Sequence, residues 1–243
     1  MNVDSMISRK LPIGIQSFEY LRKEGYLYVD KTELVYRLVK LGKPYFLSRP
    51  RRFGKSLLLS TLEAYFLGKK ELFEGLAIGE LEQDWFTYPV LHLSLNAEKY
   101  DSKERLVNLL ESQLQSWEST YGVTEINRSY SIRFMTVIRR AYEQTGRRVV
   151  VLIDEYDKPM LRSFDNPELQ HEFRETLMAF YTVLKDADAY LQFVFITGVT
   201  KFAQMGIFSN LNQLQDISLH PAYTTLCERT DVRGNDGKVY PPI

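Results

Sequence analysis

Pro44-Tyr45-Phe46-Leu47-Ser48 runs into Arg49-Pro50-Arg51-Arg52-Phe53-Gly54-Lys55-Ser56 and then into LLLSTLEAYFL, residues 57–67. The first five residues read as a short apolar strand. The last stretch carries Leu57, Leu58, Leu62 and Phe66 at helical spacing, so it reads as an amphipathic helix. The eight residues between them match the phosphate-loop pattern G-x-x-x-x-G-K-S/T at three of its four fixed positions, with Arg49 where the first glycine would stand. Gly54 would let the backbone approach phosphate, and the amides entering the helix would point their N–H dipoles at it. Lys55 would reach the β and γ phosphates, and the Ser56 hydroxyl would ligand Mg²⁺. The expected nucleotide-binding stretch is therefore Arg49, Pro50, Arg51, Arg52, Phe53, Gly54, Lys55, Ser56 and Leu57. A Gly-Lys-Ser tripeptide can open a helix by chance, but its place between an apolar strand and an amphipathic helix favours the phosphate loop. Of the three arginines, some would touch phosphate, and at least one would pair elsewhere or face solvent.

A second signal lies about a hundred residues on. VVVLIDE, residues 149–155, is the most apolar strand of the chain and ends on Asp154-Glu155. A carboxylate there can hold the Mg²⁺ shell, and the next glutamate can orient or deprotonate an attacking water. Asp154 is thus the expected metal-side acid beside Ser56, and Glu155 the expected base. Asp157 and Lys158 are expected to form an ion pair in the following turn. A third corner follows LQFVFIT, residues 191–197, where Thr197 is the expected γ-phosphate sensor, Lys201 a further contact or a solvated loop lysine, and Gly198 the residue that permits a tight exit.

Around these stretches the chain alternates strand and helix. Strands are expected at 26–29, 44–48, 90–95, 149–154, 191–197 and 216–219. Helices are expected at 32–40 after Asp30, at 56–67, from the Asp101/Glu104 capping box to about residue 117, and from Asn166-Pro167 to about residue 185. Several strands are almost continuously apolar, as in a sheet covered on both faces. The fold class is α/β with a mostly parallel sheet and ligands bound beyond the strands' carboxyl ends. Residues 1–228 read as one nucleotide-binding domain. Residues 229–243, rich in Gly, Pro and charge, read as a loose tail or truncated junction.

Composition bounds the alternatives. The 243 residues include 31 Lys and Arg against 31 Asp and Glu, so the formal net charge is zero, which argues against a dedicated polybasic nucleic-acid binder. One cysteine, Cys227, excludes internal disulfides and a Cys-rich zinc site, and His92, His171 and His220 lack ligand spacing. The longest apolar run, residues 149–153, is too short to span a bilayer, and the N-terminus lacks a signal-peptide pattern, so a cytoplasmic, reducing location with no membrane partner is expected.

At this level of detail the chain resembles the AAA-ATPase-like domain proteins of bacteria and archaea. The matching stretches are LPIGIQSFEYLRKEGYLYVDKT, YFLSRPRRFGKSLLLSTLEAYFLGKKELFEGLAI, VVVLIDEYDKP and FVFITGVTKFAQMGIFSNLNQLQDISL, within about residues 10 to 228. The RPRRFGKS form of the loop is specific to that family and its relatives, so Arg49 need not mean a dead site. The resemblance implies a phosphate-loop NTPase of the additional-strand (ASCE) type, a three-layer sandwich. It also implies ATP and Mg²⁺ as ligands, with Lys55, Ser56, Asp154 and Glu155 at the nucleotide and magnesium positions. It places Tyr28-Val29-Asp30-Lys31-Thr32 near the nucleotide.

Family members commonly carry a C-terminal nuclease-like domain of the PD-(D/E)xK type. This sequence contains no Glu-x-Lys triplet, so no nuclease activity is expected from it, and that domain or a protein partner would lie elsewhere. An arginine finger is not identifiable among Arg139, Arg140, Arg147, Arg148, Arg162 and Arg174, and the oligomeric state is open. The leading expectation is a Mg-dependent ATP-binding and ATP-hydrolysing module. The alternatives are an ATP-binding regulatory switch with little turnover and a nucleic-acid-binding accessory protein, in which nucleic acid is contacted indirectly. Trp85 and Trp117 are expected in the core. The guanine-reading signature of GTPases is not evident, which leaves ATP favoured by the resemblance.

Overall fold

The structure, a computed structural model, describes residues 10–42, 44–124, 128–201, 207–208 and 213–227, and the backbone of 232–233 and 239–240. In chain order the helices and strands of the described part are α1 (Phe18–Lys23), α2 (Thr32–Leu41), β1 (Pro44–Ser48), α3 (Lys55–Phe66), α4 (Ala77–Leu81), β2 (Val90–Ser94) and α5 (Lys103–Thr120). They continue with α6 (Tyr130–Thr145), β3 (Val149–Asp154), α7 (Lys158–Arg162), α8 (Pro167–Asp186), β4 (Leu191–Gly198) and β5 (Gln215–Asp216). The chain divides into two compact units, one of residues 42–48 and 88–217, the other of residues 1–41, 49–87 and 218–243.

The first unit is built on a five-stranded sheet in the order β2-β3-β4-β1-β5, with every pairing parallel. The Val149–Asp154 run explains its own position. With every side chain apolar up to the final aspartate it can only be a strand covered on both faces, and Val149 to Ile153 have no exposed surface. β4 lies between β3 and β1, pairing Ile153 with Ile196 on one side and Ser48 with Gly198 on the other. The carboxyl ends of β1, β3 and β4 therefore come side by side.

One face of that sheet packs against α5, α6 and α8 through Leu106, Leu110, Leu114, Phe134, Val137 and Phe180, all buried. Phe134 and Phe180 stack with ring centroids 4.5 Å apart. α6 begins where the Ser129 hydroxyl accepts the Ile132 amide and ends at Gly146 in the left-handed region, a cap at each end. Buried Arg133 projects from this helix and is held by Glu118 at 2.7 Å and Glu111 at 2.6 Å, which keeps its charge neutralised away from water.

In the second unit α1 lies on α3, where the Phe18 amide donates to Ser60 Oγ at 2.9 Å. The Asp30 carboxylate accepts the Thr32 amide and hydroxyl at the start of α2 and the Ala77 amide at the start of α4. The Thr32 hydroxyl in turn accepts the Ile78 amide.

Several expectations need correction. Residues 26–29 form no strand; Tyr28 packs edge-on against Phe18 instead, and the Leu27 amide donates to the Lys10 carbonyl outside any ladder. The strand expected at 216–219 is reduced to Gln215–Asp216, with the Ile217 amide adding one further bond to Phe46. The expected mostly parallel sheet is present, with every pairing of the five described strands parallel. Trp117 is in the core as expected, stacked on Phe134. Residues 229–243 lie outside the described residues except for the backbone of β6 (Val232–Arg233) and β7 (Val239–Tyr240), which pair antiparallel.

Candidate functional site

The loop after β1 turns twice through the left-handed region, at Arg52 (φ 66°) and at Gly54 (φ 76°). Gly54 is the N-cap of α3, has no side chain to cap with, and no acidic residue follows in the first turn. The first amides of this twelve-residue helix thus receive no bond from a capping side chain. A Cβ built on Gly54 would meet nothing within 4 Å, so the glycine serves the backbone conformation and the open approach, not a tight contact.

Lys55, only 5% exposed, curls back into its own loop and donates to the carbonyls of Arg49 at 3.0 Å and Pro50 at 3.1 Å. A buried ammonium thus braces the loop that leads into α3. Arg51 and Arg52 are exposed, and Phe53 and Ser56 are half-buried. Arg49 is placed differently. Its guanidinium donates to the backbone carbonyls of Ser218, Thr224 and Cys227, tying the loop's first residue to the 218–227 segment of the same unit. An arginine where a phosphate loop usually has glycine therefore has a tertiary partner that no local pattern could show.

The Tyr28–Thr32 stretch also comes to this loop. Tyr28, Val29 and Lys31 line a pocket together with Phe53, Gly54 and Leu57. Burial pushes the Tyr28 phenol above the ordinary tyrosine value, while a hydrogen bond with Thr61 works the other way. Asp30 and Thr32, by contrast, hold backbone amides of α2 and α4, as described above.

In the sheet unit the carboxyl ends of β3 and β4 are joined by side chains. Thr197, fully buried, donates from Oγ1 to Asp154 Oδ1 at 2.5 Å and accepts the Glu155 amide at 3.3 Å. Glu155 sits in the left-handed region (φ 54°), a conformation that costs a non-glycine residue on the order of 1 kcal/mol or more and that concentrates at functional sites. Asp154 is 4% exposed, whereas Glu155 is half-buried. Asp157 does not pair with Lys158, contrary to the expected turn ion pair. Its buried carboxylate accepts the Val199 amide at 2.9 Å and the Thr200 amide at 2.7 Å, as well as the Thr200 hydroxyl. Lys158 turns instead to Asn96, through its carbonyl and its side-chain oxygen, and stands 3.9 Å from Glu155. Lys201 forms a 2.7 Å ion pair with Asp216. Gly198 is required by close approach, because a Cβ there would come 2.4 Å from the Tyr156 ring.

Sequence reasoning missed the Asp157 bonds to the β4 exit and the role of Arg49, both of which join residues more than forty positions apart. Among the finger candidates, Arg140 pairs with Glu143 and Arg147 lies over Tyr88. Among the described residues no group of three or more His, Cys, Asp or Glu could hold a metal, and no helix is long and apolar enough to cross a membrane.

The family model described as "Predicted AAA-ATPase" matches residues 12–208. A relative from Azotobacter chroococcum mcd 1, described as an uncharacterized protein in the vnfD 5′ region, is 42% identical over 228 residues, 93% of this chain. The chain spans 44% of that relative's length. No solved structure matches the chain.

Proposed function

The chain belongs to the predicted AAA-ATPase family, and from that premise we propose that it binds and hydrolyses Mg·ATP. The observation that carries this reading is the uncapped start of α3 at Gly54, with the Lys55 ammonium buried inside the loop that precedes it. A helix N-terminus joined to a fixed cation suits an anion of high charge, and a triphosphate chain meets that description.

The roles divide by chemistry. The amides of residues 54–57 take phosphate oxygens, and Lys55 gives them an N–H while keeping the loop closed through its carbonyl bonds. Ser56 and Asp154 would each offer Mg²⁺ a hard oxygen ligand of the kind it prefers. Magnesium, when bound with the nucleotide, supplies charge neutralisation at the β and γ phosphates. Glu155 accepts the proton of the attacking water as its oxygen bonds to the γ phosphorus and the bond to the ADP oxygen breaks. Thr197 fixes the carboxylate of Asp154 and, through the Glu155 amide, the start of the turn that presents Glu155. Arg51, Arg52 and Phe53 contribute backbone and, for the arginines, exposed positive charge. Arg49 and Pro50 contribute the carbonyls that hold Lys55.

The strand order, with β4 between β3 and β1, supports the additional-strand form of a phosphate-loop fold, in which a polar residue at the end of β4 stands next to the acidic strand end.

The test is thermal unfolding of the wild type and Lys55→Ala with and without Mg·ATP, followed by turnover of the wild type and Glu155→Gln. Ligand at about a hundred times its dissociation constant stabilises by roughly 2.7 kcal/mol. A rise in Tm present in the wild type and absent in Lys55→Ala is expected. No rise in either protein would remove the reading. Binding without turnover in the wild type would leave a nucleotide-operated switch in its place.

A further inference from the structure

β4 ends at the acidic corner but begins at the opposite side of the sheet, and a second pocket opens there. It lies at the amino ends of β1 and β4, beside the end of α8, wholly within the sheet-bearing unit. Its volume is about 150 Å³, the size of an apolar cavity that takes one benzene ring. The floor is apolar. Leu184, Phe193 and Val194 are buried there, and Leu191 and Leu214 are half-buried.

Four polar side chains complete the lining. Lys185, Asp188 and Gln213 are exposed and Gln192 is half-buried, and among the described residues none of the four makes a side-chain hydrogen bond or ion pair. Elsewhere in this unit the cations are engaged: Arg133 with Glu111 and Glu118, Lys158 with Asn96, Lys201 with Asp216. Lys185 and Asp188 therefore bring two opposite charges to the rim of an apolar pocket, neither committed to a partner. A ligand with a single charge would answer one of them and be repelled by the other, whereas a zwitterion answers both.

We propose that this pocket binds an apolar α-amino acid, its carboxylate at Lys185, its ammonium at Asp188 and its side chain on the Leu184–Phe193–Val194 floor. The carbonyls at the end of α8 add negative potential on the ammonium side, since Asp188 follows that helix by two residues. Gln192 and Gln213, each both donor and acceptor, serve either end of the head group. The side chain contributes affinity through the apolar area it covers, and the two charges contribute selection. This site lies at the far end of the sheet from the nucleotide reading and does not depend on it.

The experiment titrates the full chain with leucine and with three truncated probes: 4-methylpentanoate, which lacks the ammonium, 3-methylbutylamine, which lacks the carboxylate, and glycine, which lacks the apolar body. Calorimetry should give leucine a dissociation constant of about 0.1–1 mM, as suits so small a ligand, and each probe a value at least about threefold weaker. In Lys185→Glu, a change at an exposed position, leucine should bind at least about fivefold more weakly and 3-methylbutylamine more tightly than in the wild type. Gln192→Trp puts an indole at the half-buried edge of the pocket and should weaken leucine by about tenfold or more. An unchanged Tm shows that each variant is folded.

No binding of any of the four compounds to the wild type at about 10 mM would overturn the site. Leucine no tighter than 4-methylpentanoate or 3-methylbutylamine would overturn the zwitterion, and leucine no tighter than glycine would overturn the apolar seat. Leucine affinity unchanged in Lys185→Glu would place the binding elsewhere on the chain and overturn the assignment, whatever Gln192→Trp shows.

Discussion

The hydroxyl of Thr197 donates to Asp154 Oδ1 at 2.5 Å and accepts the amide of Glu155 at 3.3 Å, so one buried side chain on β4 positions both acids at the end of β3. Thr197→Val keeps the shape and removes the hydroxyl. It leaves a buried carboxylate without that donor, which costs about 1–3 kcal/mol. Turnover should fall at least tenfold while nucleotide affinity changes little, and Thr197→Ser should restore most of both stability and rate. A Val variant with unchanged kcat would show that the hydroxyl serves packing alone.

Asp157 gives the same corner its second tie. Three donors, two amides and a hydroxyl from residues 199–200, converge on one buried carboxylate. Asp157→Ala abandons all three and should lower unfolding stability by about 2–3 kcal/mol, whereas Asp157→Asn retains an acceptor oxygen and should lose less. Urea unfolding of the two variants gives the comparison, and equal losses would assign the effect to side-chain volume.

How much of this was legible follows from the range of each interaction. Gly54-Lys55-Ser56 at a helix start and the Val149–Asp154 run are local patterns, and the structure places them as a helix N-terminus and a central buried strand. α6 was absent from the sequence reading although Ser129 and Gly146 cap it, because its apolar positions are interrupted by Arg133, whose burial depends on Glu111 and Glu118 of another helix. Residues 26–29 carry strand-like residues, yet Tyr28 is claimed by Phe18 and the pocket, so tertiary packing overrode propensity. Arg49 looked like a departure from the consensus because its partners lie about 170 residues downstream.

That last relationship yields a counterintuitive outcome. Arg49→Gly restores the consensus first glycine, but it removes a planar fork of donors from three carbonyls and loosens the segment they belong to. Stability should drop by about 2 kcal/mol, since hydrogen bonds from a charged donor are worth about 1.5–3 kcal/mol each and these are partly exposed. Cys227 alkylation should accelerate in the same variant. A glycine variant at least as stable as the wild type, with an unchanged alkylation rate, would show that the guanidinium bonds hold nothing in place.

The Arg133 cluster gives the acid limb of stability a definite contributor. The Arg133 guanidinium, hydrogen-bonded to Glu111 at 2.6 Å, holds the Glu111 carboxyl below the ordinary glutamate value, against the opposing effect of burial. Between the folded value and the unfolded one of about 4.3, the unfolded chain binds the proton more readily, so stability falls as pH falls. The contribution is complete above about pH 5 and disappears once the pH is below the folded value. Glu111→Gln removes the titrating group and leaves Arg133 paired with Glu118, which should lower stability at neutral pH and flatten its dependence on pH below about 4.3. Urea unfolding midpoints of both proteins between pH 3 and pH 7 decide the matter. Curves that converge toward low pH support the linkage; curves that stay parallel would place the acid sensitivity in other carboxylates.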